Sequence, residues 1–144
     1  MSENTPRPAY QLPDTDTLAA AVDEALADHD RAAERLGRLM AVVTARAMRD
    51  ALTDGDPGAP FDATHAELTE TETSALFATG RYWSADGAEH MLEANAVFDM
   101  NEWITYLAEA SHTVWSYLVT DLPDRDNRPV YRFDLVKAAA LPLD

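Results

Sequence analysis

The sequence contains no cysteine, which removes disulfides, thiolate metal sites and cysteine nucleophiles together. Positive charge is scarce as well. Ten arginines and one lysine stand against 26 acids, for a formal net charge of -15 at pH 7. Between residues 50 and 124 fifteen acids share the chain with one base, Arg81. A field of that sign repels phosphate backbones and anionic lipid, so neither nucleic acid nor a membrane is expected as a partner. No apolar run approaches the roughly 20 residues needed to span a bilayer, and the polar opening MSENTPRPAYQLPDTD has no signal-peptide core. A cytoplasmic location is the expectation. Phosphate-binding glycine loops, the Gly-x-Ser-x-Gly elbow and His-Glu-x-x-His are also missing, so no catalytic residues are assigned and no cofactor is expected.

What is present is helical periodicity. Residues 1–14 carry three prolines and no repeat, and read as a flexible arm ahead of a single helical domain over 15–144. Val22, Leu26, His29, Ala33, Leu36, Met40, Val43 and Ala47 then recur at spacings of four and three. A helix over 17–52 follows, on the order of 55 Å long. So long an element in a small domain suggests a homodimer paired along the 17–52 helix, with His29 as a polar residue in the seam. Arginine in place of lysine and abundant alanine fit a GC-rich, bacterial coding sequence.

The stretch TDGDPGAPFD (53–62) is a loop by composition. Beyond it, a capping pattern recurs at Thr64/Glu67, Thr69/Glu72, Asp86/Glu89 and Asp99/Glu102: a side-chain cap followed three residues later by glutamate. It predicts a short helix near 70–79, closed by Gly80, and helices near 87–98 and 100–120. The segment RPVYRFDLV (128–136) alternates instead and reads as an extended piece or strand, with Arg81 to Ser84, Val114 to Thr120 or another subunit as its partner. The fold class expected is mainly α: a small helical bundle with one long N-terminal helix and a short C-terminal extended segment, at most a minor β component.

Two constellations bear on chemistry. His90, Glu109 and His112 contain the Glu-x-x-His half-signature of carboxylate-bridged metal sites. Helical rotation argues against a metal there, because Glu109 and His112 share the polar face with Glu102 and Thr105, opposite Ile104 and Leu107. The second is a late cluster of aromatics. Tyr82, Trp83, Trp103 and Tyr106, with Arg81, His90 and Asn95 as polar handles, would wall a small-molecule pocket between helices, although aromatics at helical spacing first of all fill a core.

Two functions are therefore expected. The first is a non-enzymatic accessory, regulatory or inhibitor-type protein whose acidic surface binds a basic protein partner. The alternative is a small enzyme or ligand-binding protein using the aromatic pocket.

Overall fold

The computed structural model describes residues 6–56, 58–109 and 112–144. Among them the order of elements is α1 (Thr15–Thr53), β1 (Ala63–Glu70), β2 (Leu76–Ser84), β3 (Glu89–Met91), α2 (Ala94–Glu109), α3 (His112–Leu118), β4 (Val119–Arg125), β5 (Arg128–Asp134) and α4 (Leu135–Ala139). The five strands form one antiparallel sheet in the order β3-β2-β1-β5-β4. This is an α+β fold, and the expected helical bundle is wrong. The predicted helix at 70–79 is a turn and the start of β2. That expected at 87–98 is β3 and the first turns of α2, and the break expected at residue 99 lies inside α2. None of the four capping pairs caps a helix. In a chain this rich in acids, a glutamate three residues after a threonine or aspartate arises without a helix behind it. No helix among the described residues is long and apolar enough to cross a membrane.

The chain divides into two units, one ending at Arg31 and the other running over Ala32–Asp144. In the first, Asp14 caps α1 by accepting from the Thr17 N–H at 2.7 Å. Leu18, Val22 and Leu26 are half-exposed on this part of the helix, and His29 is exposed beside Asp30.

In the second unit, one sheet face carries Ala66, Leu68, Leu76, Ala78 and Phe133. Against them pack Ala41 and Met48 of α1, Met100, Ile104 and Leu107 of α2, Trp115 and Leu118 of α3, and Leu135 and Ala138 of α4. The face that α1 buries runs through Gly37, Ala41, Thr44 and Met48, one residue round from the apolar stripe read in sequence. Small and hydroxylated side chains hide it: the Thr44 hydroxyl donates back to the Met40 carbonyl at 2.8 Å, so it enters the core satisfied. The arginines of the same helix hold the C-terminus, Arg35 donating to the Leu143 carbonyl at 3.1 Å and Arg38 to that of Pro142 at 3.1 Å. In the segment 87–98, Met91, Asn95 and Phe98 are exposed.

Of the segment 128–136 read as extended, 128–134 form β5, which pairs with β1 (His65 to Thr69) and with β4, while Leu135 and Val136 begin α4. Its hairpin turns at Asp126 and Asn127, with φ of 53° and 62°. Two successive left-handed residues of these types match the right-handed twist of the strands they join.

Candidate functional site

β2 shapes both faces of the sheet. Ala66 pairs with Tyr82 and Leu68 with Ala78, so three residues of β2, Thr79, Gly80 and Arg81, stand opposite Glu67 alone. Gly80 takes φ +98°, and a Cβ there would lie 2.9 Å from Val97 Cγ2 and 3.1 Å from the Met91 sulfur. Glycine permits this bulge, and α2 can approach it closely.

On the helix-covered face the bulge leaves Tyr82 at the wall of a cleft of about 670 Å³. The end of α1 supplies Asp50 and the turn after it Asp54, the segment after β3 supplies Glu93, and α2 supplies Asp99 and Trp103; Met91 and Tyr82 complete the apolar wall. Four acidic and two aromatic residues line the space and no lysine or arginine does, while the Asp50 carboxylate also lies within 4 Å of Arg46 and Arg49. Such a cleft suits a cation with an apolar or delocalised body: the carboxylates supply counter-charge, and the ring faces attract positive charge at short range.

On the opposite face the bulge aims Thr79 and Arg81 at Glu67, whose side chain is 0% exposed. The Thr79 hydroxyl donates to Glu67 Oε1 at 2.9 Å, Arg125 Nη1 donates to the same oxygen at 2.8 Å, and Arg81 Nε lies 3.5 Å from Oε2. Glu67 Oε2 and Arg81 Nε are both buried without a hydrogen-bond partner. Arg81 gives its terminal nitrogen to Glu89 at 2.7 Å. Beside this group the Arg132 guanidinium lies 4.4 Å from the centre of the Trp83 ring. His65 Nε2 is 3.7 Å from Asp134 Oδ2. Burial lowers the His65 pKa from 6.5, against the opposing pull of Asp134 and with the help of Arg132 and Lys137.

The seven residues expected to form a pocket therefore separate. Tyr82 and Trp103 share the acidic cleft, and His90 stacks on Tyr82 with ring centres 5.0 Å apart. Arg81 and Trp83 point to the other face, because neighbours on a strand alternate. Asn95 and Tyr106 are exposed on α2 and do not line the cleft. For the metal reading, the side chains of Glu109 and His112 lie outside the described residues, and no group of three potential ligands occurs among those described.

One arrangement resembles a nucleophile without being one. Ser84 Oγ lies 3.0 Å from His90 Nε2 and donates to Asp86. The serine is buried, and the carboxylate contacts the serine itself instead of orienting the imidazole, so the order of contacts that activates a hydroxyl is absent. The group pins the turn between β2 and β3, where Asp86 also accepts from the Ala88 N–H at 3.1 Å. Those hydrogen bonds, that of Ser84 first, hold the Asp86 carboxyl below its ordinary pKa.

None of the four cleft acids is a site residue on the sequence reading, which offers Asp99 as a helix cap; the signal for the site is the excess of acid between residues 50 and 124. Glu67 had been read as half of a capping pair. No family model, no curated protein and no solved structure matches this chain.

Proposed function

We propose that this protein is a non-enzymatic interaction protein that binds a basic protein partner, and that the acidic cleft receives an arginine or lysine side chain of that partner. The observation that carries the reading is the convergence of Asp50, Asp54, Glu93 and Asp99 around Tyr82 and Trp103 in a cleft with no basic lining residue. The net charge of -15 attracts a basic protein at long range, and the cleft adds a short-range anchor of the kind that dominates interfaces. Self-association belongs to the same proposal. Leu18, Val22 and Leu26, half-exposed at helical spacing on α1, supply the apolar seam for pairing with a second copy. So does a cytoplasmic setting, for which the support is sequence composition.

A small organic cation is the second reading, because about 670 Å³ also falls in the usual size range of small-molecule sites. Isothermal titration calorimetry decides between them. A short arginine-rich peptide is titrated at low salt into the wild type and into Trp103→Ala, with a free diamine as the competing probe. The proposal expects saturable binding of the peptide, at least tenfold weaker in the variant and weakened by salt, with the diamine binding far more loosely. Equal peptide affinity in Trp103→Ala overturns the cleft as the anchor, and a diamine that binds as tightly as the peptide favours the second reading.

A further inference from the structure

A second cavity, of about 720 Å³, opens between α1 and α4 beside the start of β1. Its walls are largely carbon: Val42 and Ala45 of α1, Phe61 ahead of β1, and Leu135 and Val136 of α4. Phe61 and Val136 are exposed large apolar side chains, so this surface meets water where a ligand would cover it. Two guanidiniums, Arg46 and Arg49, also line the space, three residues apart on the same side of α1.

Those arginines are weakly engaged. Arg46 Nε is 3.6 Å from Asp50 Oδ2, and Arg49 Nη2 is 3.4 Å from Asp50 Oδ1, both longer than the roughly 2.7–2.9 Å of a strong charge-assisted hydrogen bond. Arg49 Nε is buried with no acceptor. A buried donor left without a partner is costly, and an incoming acceptor recovers that cost. Asp62 also lines the cavity, which disfavours a second negative charge on the occupant.

We infer that this cavity binds a small amphipathic monocarboxylate, its acyl or aryl body against Val42, Phe61 and Val136 and its carboxylate accepting from Arg49 and Arg46. The site has a charge preference opposite to that of the acidic cleft and meets it at Asp50, the cleft acid that both arginines approach. It is a ligand site in a protein whose overall charge repels anions, and this requires the two arginines to act locally. A planar guanidinium offers paired donors that match a carboxylate.

The test is isothermal titration calorimetry at low salt with three probes of one chain length: octanoate, octanol and octylammonium. Octanoate binds the wild type at least tenfold more tightly than octanol, and octylammonium binds weakest. In Arg46→Gln/Arg49→Gln that preference disappears while octanol affinity is unchanged, which also shows that the cavity survives the substitutions. Arg46→Gln alone, at an exposed position, lowers octanoate affinity in part. Octanoate binding no tighter than octanol in the wild type overturns the inference, as does octanoate affinity that survives the double substitution. Absence of binding by all three probes at millimolar concentration overturns it too.

Discussion

Arg125 donates to the wholly buried carboxylate of Glu67 at 2.8 Å, across 58 residues of sequence, and the β4–β5 hairpin is what brings the guanidinium there. The pair joins strands that do not touch, since β5 lies between β1 and β4. It is a tie across the sheet, completed from the other side by Thr79 and Arg81.

Removing the two sides of this tie has unequal consequences. Glu67→Gln keeps a partner for Thr79 and leaves two arginines that are 28% and 48% exposed and can turn toward water, so it costs about 1–3 kcal/mol. Arg81→Ala with Arg125→Ala strands a buried carboxylate and costs about 3–5 kcal/mol. Urea unfolding of the two variants measures both. A double variant as stable as the wild type would show that the tie contributes nothing.

Gly80→Ala meets both left-handed strain and a collision with Val97 and Met91, and is expected to cost about 1–3 kcal/mol. Gly87→Ala is the control, since Gly87 has φ +85° but open space where its Cβ would be. Thermal melts should rank Gly80→Ala clearly below Gly87→Ala. Equal melting temperatures would mean that α2 does not press on the bulge.

His65 makes stability depend on pH. Its folded pKa lies below 6.5, chiefly through burial, so the unfolded chain takes up a proton first as pH falls. The contribution is fully present above pH 6.5 and is lost as pH drops through the folded value. His65→Gln removes this component: the difference in unfolding free energy between wild type and variant should shrink below pH 6.5 and be constant above it. A difference that grows on acidification would reverse the sign of the coupling.

The long helix was legible because apolar residues keep spacings of three and four from Val22 to Ala47, a period that a helix satisfies and a strand does not. β5 was legible because Tyr131 and Phe133 alternate with Arg132 and Asp134. The remaining strands were hidden by identifiable devices. β1 alternates, with Ala66 and Leu68 on one face and His65, Glu67 and Thr69 on the other, but its apolar side is weakened by alanine and its threonine–glutamate spacings match helix caps. The bulge of β2 interrupts its alternation, β3 is three residues long, and β4 is an edge strand that carries Pro123 and three acidic or basic residues. The acidic character of the site was readable from composition. Which acids meet was not, because Asp50, Glu93 and Asp99 come together only through packing, and strand β2 sends Arg81 and Trp83 to the face opposite Tyr82.

Anchoring of a basic partner in the acidic cleft is probed most directly by NMR chemical-shift mapping of the isotopically labelled protein with a deca-arginine peptide. Saturable shifts concentrated at Asp50, Asp54, Glu93, Asp99 and the Trp103 indole N–H are expected, with the Trp83 indole unmoved on the opposite sheet face. Shifts spread evenly over all acidic residues, without a maximum at the cleft, would show non-specific attraction to a charged surface and contradict the anchoring.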